Sequence, residues 1–267
     1  MCARGLVFSL LLIGCAPPIA RPYAPPSASE LIASIRARAS ALKTLRAQSK
    51  IDHMGDGGER VKVKVAMLLE RPGKLRFEAE SPLGGAVATV VTDGQRFSLL
   101  DVRQNRFFTG PALACNVARF TRVALAPSEV VEAMMGGAPL YLPADEADLA
   151  RVASVSWDGS AGGREVLEIK LSNGGREIVK LSAANRVWDV VFVELRDAAG
   201  KRLWKLESED FADRGGGIRL PSKMDIVEHG SDLEIKLHGF EPNVTIPDGA
   251  FHLDPPARVP SEVGDCK

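Results

Sequence analysis

Apolar and polar residues alternate with a period of two along most of this chain, and this period limits the chain to a protein built mainly of β-strands. One apolar series consists of Val61, Val63, Val65, Met67 and Leu69, and the next consists of Leu75, Phe77 and Ala79. Turn signals such as Asp93-Gly94 and Asn173-Gly174 separate the series, which indicates that short hairpins join neighbouring strands. The sequence therefore predicts an antiparallel sheet with one apolar face.

Two stretches have helical spacing instead. A capping-box pattern at Ser27 to Glu30 precedes apolar residues at helical intervals, namely Leu31, Ile35, Leu42 and Leu45. We predict one amphipathic helix over residues 28–46, packed as a lid on the sheet, and a short helix from Pro127 to Met135. No linker interrupts the sequence after the helix begins, so residues 28–267 are predicted to form a single domain.

The first residues have the features of an export signal. Arg4 precedes an apolar run, Leu6 to Ile13, that has signal-peptide length and is too short to span a bilayer. The following Leu12-Ile13-Gly14-Cys15 resembles a bacterial lipobox, which implies that residues 1–14 are a lipoprotein signal peptide and that Cys15 is the lipid attachment site. An ordinary secretory signal with a chance cysteine is the alternative.

A Pro-rich stretch follows the predicted lipidation site. Residues 15–27 contain several prolines, so we predict an extended, semi-rigid tether between the membrane anchor and the domain. Ala16 rather than Asp follows Cys15, and by resemblance to bacterial sorting rules this favours the outer membrane.

The charge balance and the motif search exclude several functions. Lys and Arg number 34, as do Asp and Glu, and this neutral balance argues against a nucleic-acid binder. The sequence has no nucleophile-elbow, P-loop or dinucleotide-binding motif. The histidines lack metal-ligand spacing. We therefore predict no catalytic residues, no metal site and no cofactor, and hence a protein that is not an enzyme.

Two cysteines remain once Cys2 is removed with the signal peptide and Cys15 is lipidated. An oxidising envelope favours a disulfide between them, so we predict a bond joining Cys115 to Cys266. Two free thiols are the alternative, because the sequence does not give their distance.

Several short segments resemble the LolA/LolB lipoprotein-carrier superfamily, and most nearly its LolB branch of outer-membrane lipoprotein receptors. These segments include Arg71-Pro72-Gly73-Lys74-Leu75, Ser81-Pro82-Leu83-Gly84, Asp93-Gly94 and the stretch from Leu220 to Phe240. The long Pro-containing tail after Phe240 and the Cys115–Cys266 pair depart from the family pattern.

The resemblance implies a mainly β fold with capping helices, a half-open antiparallel β-barrel of about eleven strands covered by short α-helices. It implies that the apolar concave face accepts acyl chains and that Leu83 is exposed and helps to deliver cargo into the membrane; a buried Leu83 is the alternative. The strand alternation assigns to this acyl-chain face Val61, Val63, Val65, Leu75, Phe77, Trp204, Leu206, Leu233, Ile235 and Leu237.

The predicted function is a lipid-anchored, non-enzymatic carrier or receptor for lipoprotein acyl chains at the bacterial outer membrane, facing the periplasm. Its expected partners are lipoprotein acyl chains or phospholipid, the outer membrane, and a soluble periplasmic lipoprotein carrier. Two alternatives remain open from the sequence. One is an envelope lipid-sensing regulatory module with a protein partner, and the other is a structural outer-membrane lipoprotein whose cavity is filled by its own side chains.

Overall fold

The computed structural model describes residues 19–267 apart from 56, 82–84, 122, 144–148, 161, 185–186, 229–230, 265 and 267. The predicted signal peptide, Cys15 and Leu83 lie outside the described residues. The helices are α1 (Ala28–Ala41), α2 (Ala114–Thr121), α3 (Pro127–Met134) and α4 (Leu149–Val152). The strands are β1 (Thr44–Met54), β2 (Arg60–Glu70), β3 (Lys74–Glu80), β4 (Ala86–Thr92), β5 (Arg96–Asp101), β6 (Arg106–Pro111), β7 (Ala153–Asp158), β8 (Arg164–Lys170), β9 (Arg176–Ala184), β10 (Val187–Arg196), β11 (Arg202–Glu209), β12 (Ala212–Asp213), β13 (Arg219–Leu220), β14 (Lys223–Glu228), β15 (Ser231–Pro242) and β16 (Ser261–Val263).

Fourteen strands form one sheet in the order β16-β6-β5-β4-β3-β2-β1-β15-β14-β11-β10-β9-β8-β7, and β12 pairs with β13 separately. Neighbouring strands of the large sheet are antiparallel except β16 and β6, which are parallel. Within the described part of the chain the end strands β16 and β7 do not pair with each other, so the sheet is open. The predicted mainly β fold with covering helices is confirmed. The sheet is, however, not closed into a barrel, and it has fourteen strands rather than about eleven.

The alternation did not identify every strand, and β1 and β16 are two that it missed. Helix α1 begins after the capping-box residue Ser27, as predicted, but it ends at Ala41 rather than at residue 46, and β1 begins at Thr44. The prediction was wrong here because the inward-facing positions of β1 include small or polar residues, namely Ala47, Ser49 and His53, which weaken its alternation. Strand β16 lies in the Pro-containing tail, where no strand was predicted.

We call the face of the sheet that carries the alternating buried residues the inner face, and the helices cover it. Helix α1 packs against β7 and β10 and buries Leu31, Ile32 and Ile35, whereas α3 packs against β3. The predicted helix from Pro127 to Met135 is thus confirmed to within one residue at its end. The core lies between these helices and the sheet, because one face of each strand is apolar.

The C-terminal tail crosses the outer face of the sheet. The Arg76 guanidinium donates to the backbone oxygen of Ala250 at 3.2 Å, and β16 then pairs with the edge strand β6. A disulfide joins Cys115 of α2 to Cys266, whose Cα atoms lie 6.0 Å apart. The tail therefore covers one edge of the sheet and is fastened to the helix that follows β6.

Candidate functional site

A cavity of about 400 Å³ lies between the inner face of strands β15 and β1 to β5 and a cover formed by α2, α3 and the segment that joins them. Its interior is almost entirely apolar. The cover contributes Val123, Leu125, Val130, Ala133 and Met134, and the strands contribute further aliphatic side chains and one aromatic ring, Phe77. The volume and the apolar lining are typical of a small-molecule binding site.

Six of the ten residues that the alternation assigned to the acyl-chain face line this cavity, namely Val61, Val63, Val65, Phe77, Leu233 and Ile235. The other four, Leu75, Trp204, Leu206 and Leu237, are buried in the core outside the cavity lining. Alternation identifies the face on which a side chain lies. It does not give the position along the strand where the covering helices leave a space.

The polar groups of the cavity lining lie mainly at its mouth, where β1, β3 and β5 end. The Lys62 ammonium lies 3.2 Å from the Asp52 carboxylate, and the Asp101 carboxylate accepts a hydrogen bond from the Gln104 backbone at 3.0 Å. The remaining polar residues of the lining are His53, Glu80, Arg103 and Arg119. An apolar interior with a polar mouth suits a ligand that has an apolar body and a polar end.

Arg71 holds the covering helix α3 in place. Its Nε and Nη2 atoms donate to the two carboxylate oxygens of Glu132 at 2.7 and 3.0 Å, and its Nη1 atom donates to the backbone oxygen of Leu42. At Gly73 a Cβ atom would lie 3.2 Å from the backbone nitrogen of Ser128 on the same helix. The Arg71-Pro72-Gly73 motif therefore positions the cover of the cavity, a role that its sequence alone did not indicate.

A second contact holds the first turn of α3. The Tyr141 hydroxyl donates to the Glu129 carboxylate of α3, and the Tyr141 backbone nitrogen donates to the carboxylate of Glu177 on β9 at 3.0 Å. Burial raises the pKa of Glu177 to about 8, although the hydrogen bond from Tyr141 opposes this shift, and the nearby Glu129 charge adds to it. Burial and the Glu129 carboxylate likewise raise the pKa of the Tyr141 hydroxyl.

The described end of the predicted tether packs on the domain. The Arg21 guanidinium forms two contacts of 2.8 and 2.9 Å with the carboxylate of Glu165, which is fully buried on the inner face of β8. The Tyr23 ring makes edge contacts with Trp157 and Trp188 at centroid distances of 6.0 and 5.6 Å. Two of the three tryptophans thus hold this segment, and none of the three lines the cavity.

The predicted delivery residue, Leu83, lies outside the described residues. The strands before and after it in the sequence, β3 and β4, contribute Glu80 and Val87 to the cavity lining. Among the described residues, no helix has the length and apolarity that a membrane crossing requires.

Comparison with known proteins defines the fold class. No protein-family model matches the sequence, and no curated protein matches it. Among solved structures, a DUF1329 family protein from Desulfovibrio piger shares 11% identity at a TM-score of 0.60, with 84% of this chain and 95% of that chain covered. This similarity shows that the two chains share a fold.

Two further structures make the class more specific. A LolA superfamily protein from Nitrosomonas europaea shares 8% identity at a TM-score of 0.54, and 86% of this chain and 99% of that chain are covered. A domain assigned as an outer-membrane lipoprotein-sorting protein from Vibrio parahaemolyticus shares 12% identity at a TM-score of 0.50, covering 84% and 95%. The chain therefore has the LolA-superfamily fold, as the resemblance predicted.

Proposed function

We propose that this protein is a lipid-anchored, non-enzymatic carrier or receptor that binds lipoprotein acyl chains and helps to deliver lipoproteins to the bacterial outer membrane. The observation that supports it most is the apolar cavity under α2 and α3 in a LolA-like fold. Acyl chains that leave water for such a cavity gain about 25 cal/mol per Å² of apolar surface buried, so binding needs no covalent chemistry.

The cavity also helps to decide between the carrier function and the two alternative functions, a structural lipoprotein and a regulatory lipid sensor. A structural lipoprotein would fill the space under its covering helices with its own side chains, whereas about 400 Å³ lies open here. A regulatory lipid sensor would use the same cavity, and it would also need a surface for a protein partner. We therefore retain the carrier function as the proposal.

The anchor and the delivery residue complete this proposal. Cys15 carries the lipid that holds the protein at the outer membrane, facing the periplasm, and residues 15–27 connect it to the domain. Leu83, which comes between the cavity-lining strands β3 and β4 in the sequence, is the apolar residue that we propose contacts lipid as cargo leaves the cavity. Cargo arrives as acyl chains, or as phospholipid, from a soluble periplasmic carrier.

Acyl-chain binding is tested with a fluorescent fatty acid and the chain from residue 16 onward, which keeps every described residue. We expect the probe to bind, and we expect Val65→Glu or Phe77→Glu to abolish binding because a charge would enter the apolar interior. Ala133→Phe is a second test, since it fills the cavity from α3 without adding charge. Val263→Glu, at an exposed position on β16, is the control and leaves binding unchanged.

Thermal unfolding of each variant separates loss of binding from loss of fold. A folded parent chain that does not bind the probe would contradict the carrier proposal and favour the structural lipoprotein. The anchor is tested separately by the mass of the mature protein. An acyl modification on Cys15 that disappears in Cys15→Ser is the expected result, and an unmodified cysteine would exclude the anchor.

A further inference from the structure

The cavity is long and narrow, because its lining follows strand β2 from the mouth inward. Val61, near the mouth, and Met67 are the outermost and innermost inward-facing residues of β2 in the lining. The six residue steps between them cover about 20 Å at about 3.3 Å per residue. The cavity volume of about 400 Å³ therefore corresponds to a mean cross-section of about 20 Å² over this depth.

Three fully buried side chains close the inner end of the cavity. Leu69, Leu75 and Phe97 are the next inward-facing residues beyond the lining on β2, β3 and β5, and each is 0% exposed. Leu69 and Leu75 lie opposite each other in the β2–β3 ladder. We call these three residues the floor of the cavity. A ligand that enters from the mouth must end at the floor.

The width of the cavity is set by the contacts of its cover. Arg71 donates to both carboxylate oxygens of Glu132 on α3 at 2.7 and 3.0 Å, and the Tyr141 hydroxyl donates to Glu129 in the first turn of the same helix. Helix α3 cannot move away from the sheet unless these contacts break. The narrow cross-section is therefore the one that an entering ligand meets.

A single extended acyl chain has these dimensions. A methylene group occupies about the volume of one water molecule, about 30 Å³, so the cavity volume holds about 13 of them. Each carbon–carbon bond of about 1.5 Å advances an extended acyl chain by about 1.3 Å, so about 15 carbons span the depth. The same values give one acyl chain a cross-section of about 23 Å². Two parallel acyl chains would need twice this area and do not fit.

We propose that the cavity takes one acyl chain of about 13–15 carbons per protein, and that it excludes a second acyl chain beside the first. This inference rests on the proposed function and narrows its ligand. A single-chain amphiphile would be buried completely, with its polar end among the polar groups of the mouth. A lipoprotein, which carries more than one acyl chain, would be held by one of them.

The number of acyl chains is tested by displacement of a fluorescent fatty acid from the protein that begins at residue 16. Two competitors have the same phosphocholine head and fourteen acyl carbons. Myristoyl lysophosphatidylcholine carries them in one acyl chain, and diheptanoyl phosphatidylcholine carries them in two. We expect one lysolipid per protein. The two-chain lipid should bind at least about 100-fold more weakly, because each methylene left outside costs about fourfold in affinity.

The depth is tested with saturated fatty acids of ten to twenty carbons. Affinity should rise by about fourfold per methylene up to about 15 carbons and then stop rising. Leu69→Ala should move this limit upward by about three carbons, because it removes three carbon atoms from the floor. Leu167→Ala is the matched control and leaves the limit unchanged, since Leu167 is 0% exposed on β8 and does not line the cavity.

Thermal unfolding shows whether both variants fold, and the measurements on the parent protein stand without them. The single-chain inference is overturned if the two-chain lipid competes as well as the lysolipid, or if two fatty acids bind per protein. It is also overturned if affinity in the parent keeps rising to twenty carbons. A folded Leu69→Ala protein with an unchanged limit, or a Leu167→Ala protein with a shifted one, would show that the floor is assigned wrongly.

A triacylated lipopeptide identifies the source of the acyl chain. Displacement equal to that by the lysolipid supports a lipoprotein held by one acyl chain, whereas displacement more than tenfold tighter overturns the single-chain inference. A lipopeptide that does not compete would support a free single-chain lipid as the ligand and would count against the carrier function. A parent protein that binds no acyl chain at all contradicts the proposed function itself.

Discussion

Replacing Glu177 by Gln should stabilise this protein at neutral pH, although the carboxylate accepts a hydrogen bond from the Tyr141 backbone. Glu177 is fully buried on the inner face of β9, and only one of its two oxygens has a partner among the described residues. A glutamine keeps the accepting oxygen and removes the charge. In the folded protein Glu177 must either stay charged in the interior or take up a proton, a cost that the Glu129 carboxylate increases and that the glutamine avoids.

The magnitude follows from the pKa of Glu177, which is raised from 4.5 to about 8 in the folded state. Between these values the folded protein binds more protons than the unfolded chain, so its stability falls as the pH rises. Each pH unit in this window costs about 1.4 kcal/mol, so the carboxylate costs about 3 kcal/mol at pH 7. Glu177→Gln should recover about 2–3 kcal/mol of this cost at pH 7. The recovery is incomplete because the amide hydrogens of the glutamine are not fully paired. Below pH 4.5 the substitution should recover almost nothing.

The assay is urea unfolding of both proteins at several pH values between 4.5 and 8. The control is Glu168→Gln, which lies on the outer face of the adjacent strand β8 and should show no such pH-dependent gain. A Glu177→Gln protein that is less stable than the parent at pH 7 would show that the buried carboxyl carries no such cost. So would a difference between the two proteins that does not grow with pH.

Three further predictions concern the tether, the disulfide of the tail, and Leu83. Arg21→Ala should lower the free energy of unfolding by about 3–5 kcal/mol in urea titrations, because it leaves a buried carboxylate unpaired; a loss below 1 kcal/mol would contradict the packed tether. Denatured, unreduced protein should have no titratable thiol at Cys115 or Cys266, and replacing both by Ser should cost about 4–5 kcal/mol in the chain-entropy model; two reactive thiols would exclude the bond. Leu83→Glu should leave probe binding and the melting temperature unchanged but block transfer to liposomes, whereas a loss of about 2–5 kcal/mol with Leu83→Ala would show a buried leucine.

The sequence predicts which residues of a strand face the core better than it predicts where the covering helices pack on that strand. Val65 and Leu75 occur in equivalent alternating series, and both are buried on the inner face. Only Val65 lines the cavity, because the cover leaves a space over its part of the sheet. That space depends on where α2 and α3 pack, and strand periodicity has no information about helix placement.

Polar residues were the harder part of the site to predict. Arg21, Glu165 and Glu177 have no distinctive sequence pattern. In the sequence, a glutamate that faces inward cannot be told from one that faces solvent, although both of these glutamates are buried. Their partners are far away in sequence, and a pair of this kind is visible only after folding. The tether was predicted from its prolines alone, so its arginine and tyrosine contacts with the domain were missed.

The cavity therefore owes its size to residues that do not line it. Helix α3 is held near its start by Glu129, which accepts from Tyr141, and one turn later by Glu132, which accepts from Arg71. Arg71 lies in the β2–β3 turn, and the Tyr141 backbone nitrogen donates to Glu177 on β9. Two distant parts of the sheet therefore fix the distance between α3 and the inner face. Because α3 lies at this fixed height, Val130, Ala133 and Met134 line the space rather than fill it. Selection for an apolar pocket would thus act on these ion pairs and hydrogen bonds as much as on the lining itself.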